Sequence, residues 1–139
     1  MALEDNKLVA RQLQAALGGG NADKVMELTT PDYVCHFSGL PGPIHREEYI
    51  LFNQAVRDSF ADFRFTIEDV IAEGDRVALR ITAQGTHTRK FQGIEPTGIR
   101  FEISGMAIRR LEGGKVAEEW VTNDQLGLMR QLGGFPIRP

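Results

Sequence analysis

Asp124 is the carboxylate whose surroundings in the sequence best suit acid-base chemistry. It follows Lys115 to Thr122, a stretch rich in strand-favouring residues, in which Val116, Trp120, Thr122 and Asp124 share one parity of the two-residue repeat. An unbulged strand sets the acid in line with an indole and a hydroxyl. Beyond it, Leu126, Leu128, Met129 and Leu132 outline one face of a short helix, with Gly133, Gly134 and Pro136 as stop signals. A carboxylate at a strand-to-helix junction, beside groups that could form an apolar pocket, is a candidate acid-base residue. His36 and His87, each in a strand that could face the same concavity, are further candidates beside it. The same acid has a structural alternative, because helix N-termini favour Asp as a cap. Thr122-Asn123-Asp124-Gln125 also matches a capping box, which would make Thr122 the cap and place Asp124 inside the first turn.

These residues need elements to hold them. Leu3 to Leu17 carries apolar residues at helical spacing and ends at Gly18-Gly19-Gly20, and Asn21 can cap a second short helix over Ala22 to Leu28. Tyr33 to Phe37 is strand-like and contains His36, after which Gly39, Pro41, Gly42 and Pro43 force a turn. From Arg46 to Phe60, the steps Tyr49, Phe52, Val56 and Phe60 predict a third helix with an aromatic stripe, begun at His45. From Phe63 the period becomes two. Phe63, Phe65 and Ile67 alternate, Gly74-Asp75 turns, and Val77, Leu79, Ile81 and Ala83 alternate with polar residues in a strand whose parity carries on to His87. Phe101 and Ile103 then share one parity while Met106 and Ile108 take the other, which predicts a register shift at Gly105 of the kind that curls a sheet. The expected class is α+β, a curved antiparallel sheet wrapped around N-terminal helices. Tyr33, Phe52, Met106, Ile108, Arg110, Trp120, Thr122 and Leu128 are the expected substrate-binding set. Residues of the opposite parity on the sheet, such as Met106, Ile108 or Val121, would need a cover outside it, for which a symmetric homodimer is the simplest choice.

Composition narrows the function. With 139 residues, 42% of them hydrophobic and 25% charged, the expectation is one globular domain over residues 1–139. A formal charge of -3 gives no electrostatic footprint for nucleic acid or an anionic membrane. The N-terminus has acids where a signal peptide has a basic region, and no later stretch is apolar for long enough to span a bilayer, so a cytoplasmic location is expected. Cys35, the single cysteine, reads as a small buried hydrophobe. His36, His45 and His87 form no local metal motif, and phosphate-cradling glycine loops are missing, so neither metal nor cofactor is expected.

A family resemblance rests on specific segments: GDRVALR from Gly74, the GTH at Gly85 to His87, FQGIEPTG from Phe91, RRLEGGKVAEEW from Arg109, and D-x-x-G-L-x-x-Q-L-G from Asp124, together with His36 and the F-A-D-F at Phe60. With them the chain resembles the SnoaL-like polyketide cyclases. That resemblance implies a cone-shaped α+β barrel of the type named after nuclear transport factor two, a deep pocket, and pairing through the outer sheet face. It also implies intramolecular aldol condensation of an aromatic polyketide ester without metal or cofactor. Asp124 matches the family's general acid and base, while His36 and His87 match positions near the pocket without a fixed role. The expected function is therefore a cyclase, or a relative performing proton abstraction beside a carbonyl, on a small hydrophobic or aromatic carbonyl metabolite. Two alternatives stand beside it: a non-catalytic hydrophobic ligand-binding protein, and an epoxide hydrolase, which would need a second carboxyl cooperating with Asp124.

Overall fold

The computed structural model describes residues 2–133, so Gly134 and Pro136 of the expected stop signal lie outside the described residues. The chain begins with α1 (Leu3–Gly19), which turns out through Gly20 at φ 68°, and α2 (Ala22–Leu28), whose first turn is capped by Asn21 accepting from the Lys24 N–H at 3.1 Å. Strands β1 (Thr29–Phe37) and β2 (Ile44–His45) lead into α3 (Arg46–Ser59), where Glu48 reaches back to accept from the His45 N–H at 3.0 Å. Four long strands follow, β3 (Phe60–Glu73), β4 (Arg76–His87), β5 (Arg100–Glu112) and β6 (Lys115–Asn123), and then α4 (Gln125–Gln131).

All six strands form one curved sheet in the order β2-β1-β6-β5-β4-β3. The pairs are antiparallel except β1 with β6, which is parallel and makes the sheet mixed. The expected α+β class, with a bent meander after Phe63, is what the chain forms. The covering layer is broader than the third helix alone. Phe37 on β1 packs edge-on against Tyr49 and Phe52 of α3, while α1 reaches the sheet where Arg109 of β5 donates to the Ala10 carbonyl at 2.8 Å.

Two expectations about strand parity are corrected. Pairing of β4 with β5 runs without interruption from Arg76↔Arg110 to Thr86↔Arg100, so Gly105 marks no register shift. The inner face of β5 is Phe101, Ile103, Gly105, Ala107, Arg109 and Leu111, and five of these six are buried. Met106 and Ile108 face out, 60% and 43% exposed. Apolarity misled here because the outer face carries two hydrophobes and the inner face carries an arginine.

On β6 the error has the opposite cause. Leu111 pairs with Val116 but Arg110 pairs with Glu118, so Ala117 is an extra residue, a β-bulge. Val116 points in, and beyond the bulge the inward set becomes Glu119, Val121 and Asn123, with Glu118, Trp120 and Thr122 outward. Inserting one residue into a period of two exchanges the faces of everything after it. Pairing is also irregular in β3, between Ala61 and Arg64 and between Ile67 and Asp69, a device that lets a sheet curve.

Candidate functional site

A cavity of about 90 Å³ lies between the inner sheet face, α3 and α4. Its wall is mostly phenyl: Phe37, Phe52, Phe60, Phe63, Phe65, Phe91 and Phe101 line it, seven of the eight phenylalanines in the chain. They come from β1, α3, β3, the connection between β4 and β5, and β5. Phe60 sits at their centre, edge-to-face with Phe101 at 4.8 Å and with Phe91 at 4.9 Å between ring centroids, the packing that the aromatic quadrupole favours. Gly85 makes this possible, since a Cβ there would come within 3.0 Å of both Phe60 and Phe101. The connection between β4 and β5 closes one side, with Phe91 bridged to Ile94 and Gln92 held at φ 46°.

Polar groups enter the wall at a few places. Asn123 comes from the end of β6, Gln125 from the start of α4, Asn53 from α3, and Gln14 from α1. The charged member is Arg109, 1% exposed, whose Nε donates to Glu119 Oε2 at 2.9 Å, while Nη1 donates to the Ala10 carbonyl at 2.8 Å and Nη2 to Gln14 Oε1 at 2.6 Å. Glu119 is fully buried, and its other oxygen accepts from the Tyr33 hydroxyl. Burial, the largest influence, would lower the affinity of Arg109 for its proton, but the charge of Glu119, the hydrogen bond to it and the neighbouring phenols together outweigh burial, so the guanidinium is held charged. Burial, and then the negative Glu119, push the Tyr33 phenol well above its ordinary value, and the Tyr49 phenol moves the same way for the same two reasons. The Cys35 thiol, on β1 opposite Glu119, is likewise pushed up by burial and then by that carboxylate. The cavity floor is therefore an ion pair ringed by neutral hydroxyl, thiol and amide groups.

The residues singled out by sequence separate into three groups. Phe52 and Leu128 line the cavity, Met106 touches its edge while remaining 60% exposed, and Tyr33 stands behind the floor on Glu119. His36, Ile108, Arg110, Trp120 and Thr122 are on the outer face, which corrects their placement in the pocket. There the His36 ring stacks on Trp120 at 5.4 Å, and its Nε2 lies 2.7 Å from Glu118, which also accepts from Arg110 at 3.2 Å. The hydrogen bond from His36, and then that from Arg110, hold the Glu118 carboxyl below its usual range. Val121, expected outside, lines the cavity.

His87 is inward and fully buried behind Phe60, at 5.4 Å between ring centroids, and is not part of the wall. Its Nδ1 accepts from the Thr97 N–H at 3.3 Å, which leaves the proton on Nε2, a donor with no partner among the described residues. Asp124 is the N-cap of α4 itself, with Oδ1 accepting from the Gly127 N–H at 2.8 Å, and Thr122 is not the cap. Its side chain is exposed and is not part of the wall, which corrects its expected place beside an apolar wall, although its chain neighbours Asn123 and Gln125 do line the cavity. Sequence reasoning missed Arg109 and Glu119. The signal for Arg109 was its parity with Phe101 and Ile103, which the expected register shift at Gly105 interrupted and the unbroken pairing with β4 restores.

Fold and cavity together define the class: an α+β cone with an aromatic pocket enclosed by a bent sheet and its covering helices. Residues 7–132 match the model of the SnoaL-like polyketide cyclase family, and the chain belongs to that family. Among solved structures it is similar to IdmH of Streptomyces antibioticus, a candidate polyketide cyclase, at 32% identity over 92% of this chain and 98% of that one, with a TM-score of 0.84. It is also similar to AclR of Streptomyces galilaeus, a candidate hydroxylase, at 27% identity over 99% of this chain and 87% of that one, with a TM-score of 0.89. A SnoaL-like candidate cyclase from Jannaschia sp. shares the fold at 23% identity, covering 96% of this chain and 94% of that one, with a TM-score of 0.86. Curated proteins include no significant match. No helix among the described residues is long and apolar enough to cross a membrane.

Proposed function

We propose that this chain is a cyclase that holds an aromatic or poly-carbonyl chain in its phenylalanine cavity and promotes ring closure by cofactor-free proton transfer beside a carbonyl. The observation that carries the proposal is the convergence of seven phenyl rings with an arginine and several amides on one cavity, the lining suited to a flat, oxygen-bearing carbon skeleton. In this reaction a base takes a proton from carbon next to a carbonyl, the enolate carbon bonds to a second carbonyl carbon, and the resulting alkoxide receives a proton. Family membership supports Asp124 as the acid-base group, since it matches the aspartate of the family motif and adjoins two lining residues, Asn123 and Gln125, in the chain. A second reading, binding without turnover, is favoured by the fact that no carboxylate contributes to the cavity wall among the described residues. Epoxide opening by coupled acids has less support for the same reason. The outer face around Trp120, with Met106 and Ile108 exposed, is the proposed contact of a homodimer, and light scattering at micromolar concentration should report twice the monomer mass.

The test is a screen of poly-β-keto esters and other enolisable aromatic ketones against the purified protein, followed by Asp124→Asn on any compound that is converted. Loss of turnover by roughly a hundred- to ten-thousand-fold, with ligand binding retained, supports the acid-base assignment. Full turnover in the variant removes Asp124 from the chemistry. Saturable binding without conversion of any compound favours the second reading.

A further inference from the structure

We propose that Arg109 is the carbonyl-recognition residue of the cavity, and that Glu119, by cancelling its charge, makes the cavity select a neutral carbonyl oxygen over a carboxylate. This rests on the proposal that the cavity holds the ligand and adds which atom of the ligand is read, and by what.

The geometry begins with donor counting. A guanidinium has five N–H groups, and the bonds to Glu119, the Ala10 carbonyl and Gln14 use three of them. One N–H on each terminal nitrogen is left without a partner among the described residues. Arg109 contributes to the cavity wall, so a ligand oxygen in the cavity is the natural acceptor for them. The three existing bonds, to β6 and to α1, fix the guanidinium before any ligand arrives, so little side-chain freedom is lost on binding.

Charge then decides which oxygen is accepted. Among the described residues, the titratable groups beside Glu119 other than Arg109 are neutral: Tyr33 and Cys35 on β1 and Tyr49 on α3 all have their pKa pushed up. Gln14, Asn53, Gln92, Asn123 and Gln125 are the amides of the wall, and among the described residues no lysine, histidine or second arginine joins them. The floor therefore has no net charge. A carboxylate entering it would meet the guanidinium with Glu119 directly behind, and the cavity would hold one uncompensated negative charge, which a low-dielectric site penalises. A ketone or ester oxygen accepts the same two N–H groups and adds no charge. Without Glu119 the preference would reverse, because a buried guanidinium lacking its counter-ion favours an anion.

Three small probes of similar shape separate the terms: toluene, acetophenone and benzoate, titrated near neutral pH into the full chain by calorimetry or ligand-observed NMR. Wild-type protein should bind acetophenone about tenfold or more tighter than benzoate, and tighter than toluene. In Glu119→Gln the Tyr33 and Arg109 contacts can persist through the amide, and benzoate should gain about tenfold or more relative to acetophenone. Arg109→Met should bring acetophenone down to the level of toluene. Near-UV circular dichroism checks that each variant is folded, and the wild-type comparison stands without them. Equal or tighter binding of benzoate by the wild type overturns the inference, as does an unchanged ratio in folded Glu119→Gln. If toluene binds and acetophenone gains nothing over it, carbonyl recognition fails while the aromatic cavity stands. If none of the three binds, the cavity reading falls and this inference falls with it.

Discussion

Replacing Arg109 with Met should cost this protein a large part of its stability, and the size of the loss follows from what the residue leaves behind. Methionine fills much of the volume but donates nothing, so Glu119, fully buried, keeps one hydrogen bond, from Tyr33, and loses its counter-charge. The Ala10 carbonyl and the Gln14 side chain lose donors as well. Breaking a buried ion pair by removing one partner costs about 3–5 kcal/mol. A domain of this kind has about 5–15 kcal/mol in all. With roughly 2.1 cal/mol/K per residue of unfolding entropy over 139 residues, that loss corresponds to a fall in Tm of about 10–17 °C. Urea titration and thermal circular dichroism read the change directly. The decisive comparison is the double variant Arg109→Met with Glu119→Gln, in which no buried charge is stranded and more than half of the loss should be recovered. A single variant that loses less than about 1 kcal/mol would refute the assignment of a desolvated pair. So would a double variant that loses the sum of the two single losses.

Three further outcomes are expected. Asp124→Asn should leave stability within about 0.5 kcal/mol of wild type, since Asn caps helices as well as Asp, whereas Asp124→Ala should cost about 0.5–2 kcal/mol; equal losses in urea titration would contradict the cap seen at Gly127. Tyr33 and Tyr49 are the only two tyrosines, and both phenols are raised in the fold, so their contribution to stability is complete below the ordinary value near pH 10 and declines as pH rises above it. An ultraviolet titration should show tyrosinate only as the circular dichroism signal collapses, and tyrosinate in a still-native protein near pH 10 would contradict this. At Gly105 an added Cβ would collide with the Asn123 carboxamide and lie 3.2 Å from the Thr122 carbonyl, so Gly105→Ala should cost about 1–3 kcal/mol in thermal melts and weaken aromatic probe binding; full stability with unchanged binding would show that Asn123 does not line the site.

Much of the architecture was legible because the chain obeys its periods. Val77 to His87 alternates as a half-buried strand should, and each expected inward residue from Val77 through Ile81 is buried, as are Gly85 and His87. Phe52 and Val56, four residues apart on α3, do reach the cavity as an aromatic stripe suggests, and Phe63 and Phe65 reach it from β3. The polar half of the site was not legible. Parity along β6 can be counted from Val116 only if no residue is extra, and Ala117 is extra, so Trp120 and Thr122 were assigned to the face that Glu119 and Asn123 occupy. Arg109 was hidden by the rule that charges stay outside, a rule that a buried partner suspends. Phe91 lies in an irregular connection with no period to betray its direction.

That connection, residues 88–99 between β4 and β5, separates two tasks in this molecule. The strands and α1 fix the ion pair and most of the aromatic wall, and they are tied to the stability of the whole sheet. Phe91 and Gln92, by contrast, close the cavity from a segment outside the sheet, held by the Phe91 ring on Phe60, by the Thr88 and Arg89 N–H groups on the Ser59 carbonyl, and by the Thr97 contact to His87. Changes of composition around Phe91 act on the aromatic wall, while Arg109 and Glu119 stand on β5 and β6 away from that segment. A library directed at this connection would vary the wall of the cavity and keep its ion pair.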